Sequence, residues 1–311
     1  MHESPMETSL DTLYDILEEV GEGRNTVYLA VNQRTAEKVC LKVVDKTYDK
    51  SYQNFVQQLR LHNEANSLQS LSHPNIVTCN RVEDLPDCCF LELELVNGID
   101  LVEFISLHGK LSEQASRHVF RQLVDAVVYL HTNNYCHRDI KGDNILLDDL
   151  GNIKLVDFEF CTKFEESRPL NKVVGSMFYS APELLNRQNY YGPQVDIWSL
   201  GVTLYSMLFG RLPWHTPNRK DLHQAIHTVP VYFPPTQTIS PELKDLILKM
   251  LSIDPDKRPT AEEVADHSWL SNQDDDWETA SLWRASSPVS SSGLTSPVNT
   301  SAAAAAPAES F

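Results

Sequence analysis

The chain has 311 residues, of which 41% are hydrophobic, and 43 acidic residues against 26 Lys and Arg give a formal net charge of -17. This length allows one large domain or two lobes, because domains commonly hold about 100–200 residues. A pI near 5.0 argues against a protein that mainly coats nucleic acid, because such surfaces are basic, and an acidic surface also repels anionic lipid. Positively charged substrates are favoured instead.

Other bulk features indicate the compartment. The first 15 residues are acidic and lack an apolar stretch, so they do not resemble a secretory signal. The most apolar run, residues 195–210, is too short to span a bilayer. The six cysteines include no CxxC pair, which suits neither a zinc cage nor a disulfide framework. We therefore expect a soluble, intracellular protein with no membrane partner.

The first third of the chain reads mostly as strands. After a polar leader at residues 1–13, TVYLAV and KVCLKVV are rich in β-branched residues, and NQRTAE provides a turn between them. One helical pattern, at residues 52–71, interrupts the strands. HPN at 73–75 ends this pattern, because proline disfavours helical geometry at the residue before it. Residues 14–96 are thus predicted to form a strand-rich N-lobe.

Beyond Gly98 the pattern changes to long helices. Apolar residues at helical spacing predict helices at 112–131, 195–209 and 241–251. Between the first two helices, NILLDDLGNIKLVDF alternates like two short strands joined by a turn. A strand-rich half followed by a helix-rich half indicates an α+β protein with two lobes and a cleft between them, the C-lobe spanning 97–270.

Residues 271–311 differ from the rest of the chain in composition. They are rich in Ser and Ala and include the low-complexity run SAAAAAPAES, so we predict a disordered tail. Its Ser287-Pro288 and Ser296-Pro297 pairs are either proline-directed phosphorylation sites or chance pairs in an inert tail.

The most informative motif is CHRDIKGDNILLD at 136–148, followed by KLVDFEF at 154–160. It matches H-R-D-x-K-x-x-N and, after one hairpin, an Asp-Phe pair. Across residues 14–270 the chain resembles a eukaryotic protein kinase. GSMFYSAPE at 175–183 resembles the end of an activation segment, which small-molecule kinases of related fold generally lack. The resemblance implies the bilobal protein kinase fold, ATP and Mg²⁺ in the cleft, and protein substrates.

The resemblance implies roles for the residues of the catalytic loop. Asp139 is the implied catalytic base, because a carboxylate can both accept the proton of the substrate hydroxyl and aim the nucleophile. Asn144 and Asp157 are the implied magnesium ligands, since Mg²⁺ prefers hard oxygen donors. Lys141 is implied to stabilise the transferred phosphate, and it indicates transfer to Ser or Thr rather than Tyr.

The N-terminal half supplies the matching nucleotide site. Lys42 in VCLK is the implied cation on the nucleotide phosphates, and Glu64 is its implied ion-pair partner. CFLELELVNGIDL resembles the hinge, with Leu93 as gatekeeper. The other residues implied to contact ATP are Gly21 and Gly23 of the glycine-rich loop, Val27, the backbone from Glu94 to Val96, and Asp100 near the ribose.

Two structural supports are also implied by the family. Glu183 of the APE motif is expected to pair with Arg258 in DPDKRPT and so to lock the C-lobe. Asp196 in DIWSLGV is expected to brace the catalytic loop.

The activation segment carries Lys172 where this group often has a phosphorylated threonine. Arg138 of the HRD motif therefore lacks the usual phosphate partner. We expect a kinase that needs no phosphorylation at that position, with Glu165 or Glu166 standing in for the phosphate.

The sequence departs from the family pattern at two places. Glu159 replaces the glycine of DFG, and we expect it to disfavour any conformation that needs a positive φ and to add negative charge near the phosphates. In the glycine-rich loop, either Thr26 replaces the third glycine, or the loop is one residue short and Val27 is the family valine. These departures favour an alternative function, a pseudokinase scaffold that binds nucleotide without turnover.

Shorter matches refine the resemblance. AVNQRT, VVYLH, PLNKVVGS and SPVN resemble checkpoint kinase one and, more broadly, the calmodulin-dependent kinase group. This implies a monomer located in the cytoplasm and/or nucleus, with a role in a cell cycle checkpoint. Asp100 and Asp143 stand where basophilic relatives meet arginines before the acceptor, so we expect Arg or Lys N-terminal to the phosphosite.

Overall fold

The computed structural model describes residues 9–21, 25–47, 51–235 and 237–271. Three predictions lie outside these described residues: the role of Gly23, the character of leader residues 1–8, and the disorder of the tail from residue 272 onward together with its Ser-Pro pairs.

The N-lobe is built on one antiparallel sheet of five strands in the order β1-β2-β3-β5-β4. The strands are β1 (Tyr14–Gly21), β2 (Thr26–Asn32), β3 (Lys38–Asp45), β4 (Cys79–Asp84) and β5 (Cys88–Glu94). Successive side chains of a strand point to opposite faces. In β3, Cys40 and Val44 therefore join the main core, while Leu41 and Val43 join a smaller cluster around Phe90 on the other face.

One long helix, α1 (Tyr52–Leu68), packs on the main-core face of this sheet. It begins after Ser51, whose side chain accepts a hydrogen bond from the Asn54 N–H and so satisfies one otherwise unpaired donor of the first turn. The helix ends three residues before the predicted position, at Leu68.

The C-lobe is mainly helical. Its helices are α2 (Leu101–His108), α3 (Glu113–Thr132), α4 (Pro182–Leu185), α5 (Gly192–Phe209), α6 (Arg219–Thr228), α7 (Pro241–Met250), α8 (Ala261–Ala265) and α9 (Ser268–Ser271). Helix α3 buries one apolar stripe, including Val119, Leu123 and Val127, and Ser112 caps its start. Helix α5 is buried on nearly all sides, which explains why its sequence shows an apolar run rather than a stripe.

Short strands at the lobe boundary frame the cleft. These are β6 (Ile99–Asp100), β7 (Tyr135–Cys136), β8 (Ile145–Leu147), β9 (Ile153–Leu155) and β10 (Thr162–Lys163). Strands β6, β8 and β9 form one sheet, and β7 pairs with β10. The Val77 N–H donates to the Leu155 carbonyl (3.0 Å), which ties the N-lobe to β9. The predicted α+β fold with two lobes is confirmed.

The cysteines and the apolar helices bear on two expectations from composition. All six cysteines lie within them, and none forms a disulfide. No helix of the described ranges is long and apolar enough to cross a membrane.

Candidate active site

The catalytic loop runs from His137 to Asn144, between β7 and β8, and a buried carboxylate of α5 fixes its start. The Asp196 side chain is fully buried. Its two oxygens accept hydrogen bonds from the backbone N–H groups of His137 (2.9 Å) and Arg138 (2.7 Å). His131 Nε2 lies 3.0 Å from the same carboxylate. The predicted brace between Asp196 and the loop is therefore present.

Asp139 lies at the centre of this loop and is 5% exposed. Its Oδ1 accepts the backbone N–H of Ser176 at 2.7 Å, and Lys141 Nζ lies 3.7 Å from its Oδ2. The activation segment can approach this closely because Gly175 has φ +88° and a Cβ there would lie 2.4 Å from the Arg138 carbonyl. The structure thus brings together Asp139, Lys141 and the end of the predicted activation segment, at Ser176.

Lys42 links the two lobes of the site. Its Nζ lies 2.7 Å from Glu64 Oε2 and 2.8 Å from Asp157 Oδ1. Burial alone would lower the pKa of Lys42, but the two carboxylates outweigh it and raise the pKa above its ordinary value. Burial would likewise raise the pKa of Asp157, but Lys42 lowers it. Both groups are therefore charged, and the predicted Lys42–Glu64 ion pair is formed.

The Asp-Phe pair sits with the phenylalanine packed inward. Phe158 is fully buried, and its ring meets the His137 ring edge-on at 4.7 Å. Its backbone N–H donates to Glu64 Oε1 at 3.2 Å. Asp157 has φ +61°, a left-handed backbone conformation that is uncommon for a residue other than glycine. Burial of the ring and this local turn together place the Asp157 carboxylate at Lys42.

Sheet register aligns the predicted nucleotide contacts of the first three strands. Gly21 pairs with Val27 across β1 and β2, and Val27 pairs with Lys42 across β2 and β3. These three residues therefore form a row across the sheet, which leads from the glycine-rich loop to Lys42, the lysine implied to bind the nucleotide phosphates.

The hinge residues follow β5. The Glu94 carboxylate accepts hydrogen bonds from Lys154 Nζ (2.7 Å) and from the Thr78 N–H (2.8 Å). Both contacts use Oε1, and the resemblance implies that Glu94 meets adenine through its backbone. Val96 is buried.

Asp100 has a structural task in addition to the one predicted. Its Oδ1 accepts the Glu103 N–H at 2.8 Å and so caps helix α2. Burial raises the pKa of Asp100, and the nearby negative charge of Asp143 adds to the increase. The two acidic side chains are thus close enough to interact.

The predicted magnesium ligands suit that ion. Asn144 Oδ1 is buried and has no hydrogen-bond partner within the described part of the chain. The amide is held by its other end, because Nδ2 donates to the Asp139 carbonyl at 2.8 Å. An oriented amide oxygen without a partner and the Asp157 carboxylate are both hard oxygen donors. Among the described residues, no group of three or more His, Cys, Asp or Glu is placed to hold a metal ion by itself.

The expected backbone penalty at Glu159 does not arise in this conformation, whereas its negative charge does reach the site. There, against the effect of burial, it adds to the charges of Asp157 and Glu64 in raising the pKa of Lys42. The φ of Glu159 is not among the positive values found for residues in the described ranges, so the replacement of glycine causes no left-handed strain. The side chain is 8% exposed, and its Oε1 accepts a hydrogen bond from Arg60 NH1 of α1 at 2.6 Å. The negative charge of Glu159 thus meets a cation on the neighbouring helix.

Arg138 also differs from expectation in its partners. Its Nε donates to the Phe160 carbonyl at 2.9 Å, and its NH1 donates to the Tyr190 hydroxyl at 3.0 Å. Tyr190 in turn donates to the Lys172 carbonyl at 2.6 Å. Glu165 and Glu166, the expected stand-ins for a phosphate, are both exposed, and the hydrogen bonds of Arg138 go to Phe160 and Tyr190 instead. No sequence motif marks Tyr190.

The expected lock of the C-lobe is present. Arg258 donates from NH1 and NH2 to the two carboxylate oxygens of Glu183 at 2.7 and 2.9 Å. Both side chains are buried. This two-pronged geometry is the strongest form of an arginine–carboxylate pair.

Comparison with known proteins agrees with this geometry. A family model described as "Protein kinase domain" matches residues 14–270. The chain is 36% identical over 258 residues to human "NUAK family SNF1-like kinase 1" and 35% identical over 258 residues to the mouse protein of that name. It is also 34% identical over 263 residues to mouse "Serine/threonine-protein kinase SIK1". Each match covers 83% of this chain but only 38%, 38% and 32% of those relatives, so the chain spans about a third of their length. With a family model matched over most of its length and a cleft that assembles the family's charged residues, the chain belongs to the protein kinase family.

Proposed function

We propose that this protein transfers the γ-phosphate of ATP to a serine or threonine hydroxyl of protein substrates. The observation that carries the proposal is the position of Lys42, bonded at once to Glu64 and Asp157. This links helix α1, the phosphate-binding strand and the predicted metal ligand in one arrangement. Phosphoryl transfer relies on positioning and on neutralising charge, so such an arrangement is what the reaction requires.

In the proposed mechanism Asp139 orients the substrate hydroxyl and accepts its proton. Lys141, 3.7 Å away, supplies positive charge beside it, and Lys42 binds the nucleotide phosphates. Asn144 and Asp157 would hold Mg²⁺, which when bound adds positive charge against the phosphate oxygens. The hinge backbone from Glu94 to Val96 would receive adenine.

The direct test is transfer of radiolabelled phosphate from Mg-ATP to a basic peptide, with Asp139→Ala run beside the unaltered chain. We expect incorporation that the Asp139→Ala variant loses. Asp149→Ala, which removes an exposed aspartate from the turn after β8, is the matched control and should retain it. Equal background incorporation by the unaltered chain and Asp139→Ala, with ATP still bound, would establish the pseudokinase alternative.

Substrates with Arg or Lys before the phosphosite are the second part of the proposal. Asp100 and Asp143 interact electrostatically, and two neighbouring carboxylates attract cationic side chains. The net charge of -17 acts in the same direction. A positional-scanning peptide library should select basic residues before the acceptor, and Asp143→Asn should weaken that selection. Indifference to basic residues in the library would rule this part out.

Activity without phosphorylation of the activation segment is the third part. The hydrogen bonds of Arg138 to Phe160 and Tyr190 support it, because they use two of the five N–H donors of the guanidinium and hold it in place without a phosphate. Protein whose residues 160–175 carry no phosphate by mass spectrometry should already be active. Activity that depends on a phosphate there, for example at Ser167, would contradict the proposal.

Finer assignments are predictions of the same kind. They include membership of the calmodulin-dependent kinase group, the resemblance to checkpoint kinase one, a checkpoint role, a monomeric state without nucleic-acid or membrane partners, and a cytoplasmic and/or nuclear location. Light scattering of the purified chain tests the oligomeric state, and imaging of a tagged chain tests the cellular location.

A further inference from the structure

We infer that Glu159 is a positioning residue, which holds helix α1 against the cleft through its ion pair with Arg60. The kinetic part of this inference rests on the proposed function, whereas its geometric part rests on the contacts of α1 alone. The glutamate that departs from the family pattern thereby supports the site.

The Arg60–Glu159 pair is partly buried. Arg60 NH1 lies 2.6 Å from Glu159 Oε1, and the two side chains are 35% and 8% exposed. Arg60 also lies over the ring of Phe160, 5.5 Å from its centroid, which adds a cation–π contact. Charges shielded from water interact more strongly than exposed ones. The pair is therefore stronger than an ordinary surface ion pair.

The pair acts on the same face of α1 that carries Glu64. Residues three and four apart on a helix are neighbours on its surface, so Arg60, Asn63 and Glu64 all face the segment after β9. Asn63 Nδ2 donates to the Cys161 carbonyl at 2.8 Å, and Glu64 bonds Lys42. Arg60 thus fixes the rotation and distance of α1 one turn before the glutamate that holds the phosphate-binding lysine.

The direction in which one substitution changes kcat/KM for ATP distinguishes two opposite effects of Glu159. If Glu159 hinders nucleotide binding, Glu159→Gly, which installs the family residue, raises kcat/KM for ATP. If Glu159 positions α1, the same variant lowers kcat/KM, because glycine offers Arg60 no side-chain partner. The contacts described above predict the decrease.

The experiment is a double-mutant cycle in the full chain with Glu159→Gln, Arg60→Gln and both together, in which kcat and KM for ATP are measured. Each single variant should lose roughly tenfold in kcat/KM, equivalent to about 1.4 kcal/mol, and the double variant should be no worse than either single. Such non-additivity identifies a direct interaction. A merely structural role would lower the unfolding temperature without this coupling in kcat/KM. The inference is overturned by additive losses, or by a gain on Glu159→Gly.

A second measurement separates this inference from the proposed function. Hydrogen exchange of the α1 backbone amides should accelerate in both single variants, and this holds whether or not the chain turns over ATP. If the unaltered chain shows no Asp139-dependent transfer, the proposed function fails while exchange still decides the inference; unchanged exchange in both variants overturns it. Lys249→Gln, which breaks an exposed pair with Asp245 on α7 (2.7 Å), is the control and should alter neither measurement.

Discussion

Replacing Asp196 by asparagine tests how strongly the C-lobe core controls the catalytic loop. The carboxylate accepts the backbone N–H groups of His137 and Arg138 on different oxygens, at 2.9 and 2.7 Å, and His131 Nε2 lies 3.0 Å away. Asparagine keeps one acceptor oxygen and turns an NH₂ group toward the remaining donors. At least one buried backbone N–H therefore loses its acceptor.

The cost follows from these contacts. A buried donor left without an acceptor costs about 1–3 kcal/mol, and the surviving bond to a neutral amide is roughly half as strong as one to a carboxylate. We expect Asp196→Asn to lower the free energy of unfolding by about 3 kcal/mol. Because the same N–H groups precede Asp139, kcat should fall about 10- to 100-fold, since small misplacements at a reacting centre have effects of this size. KM for ATP should change little, because Lys42 and Glu64 lie on β3 and α1 of the N-lobe, away from the two backbone N–H groups that lose their acceptor.

The assay is urea unfolding followed by tryptophan fluorescence, together with steady-state phosphotransfer. Asp245→Asn is a closely matched control, because Asp245 also lies against a histidine, with His267 Nε2 at 3.1 Å, but is half exposed. It should alter stability by less than about 0.5 kcal/mol. If Asp196→Asn proves as mild as the control in both stability and kcat, the reasoning that the loop depends on this carboxylate is refuted.

Two further substitutions test other supports. Tyr190→Phe removes the hydroxyl between Arg138 NH1 and the Lys172 carbonyl and should lower kcat several-fold, whereas Tyr191→Phe, at a position 40% exposed, should not. For Glu113, burial alone would raise the pKa, but hydrogen bonds from Ser240 and Trp269 lower it below its ordinary value of 4.5. Because the pKa is lowered in the folded state, Glu113 contributes its full stabilisation above about pH 4.5. This contribution is lost as the pH falls through the folded-state pKa. The difference in unfolding free energy between the unaltered chain and Glu113→Gln should therefore be smaller at pH 4 than at pH 7. Urea unfolding midpoints at the two pH values measure it, and a difference that does not depend on pH would contradict this reasoning.

The sequence allowed prediction of those parts of the site that depend on local patterns. Helix α3 begins after Ser112, as its capping residue and apolar period indicated, and ends one residue beyond the predicted position. The Lys42–Glu64 and Glu183–Arg258 pairs were implied by the family resemblance, because each member lies in a segment that resembles a family motif. The roles of Asp139, Lys141 and the nucleotide contacts remain predictions, although the structure brings their side chains into one cleft.

Contacts in which one partner lies outside every motif could not be predicted. Arg60 and Glu159 are 99 residues apart, and Arg138 and Tyr190 are 52 apart, and no local pattern connects either pair. The expected backbone penalty at Glu159 does not apply, for a different reason. The left-handed φ in this turn belongs to Asp157, at +61°, so a side chain two residues later meets no steric penalty. Residue-type rules locate such a turn only to within a few positions.

The sequence departs from the family pattern at Glu159 and in the glycine-rich loop, and the structure bears differently on these two arguments for a pseudokinase. Glu159 is paired with Arg60, and its presence coincides with an intact Lys42–Glu64 pair and a buried Phe158. The backbone therefore carries no left-handed strain at Glu159, and the carboxylate has a cationic partner; the phosphotransfer assay decides whether the chain turns over ATP. The other departure is the glycine-rich loop, where Gly21 is aligned with Val27 and Lys42. A weakened loop would raise KM for ATP while leaving the Asp139 chemistry intact, whereas a pseudokinase would lack turnover at every ATP concentration. Measuring incorporation from low to saturating ATP separates the two, because only the first recovers its rate as ATP rises.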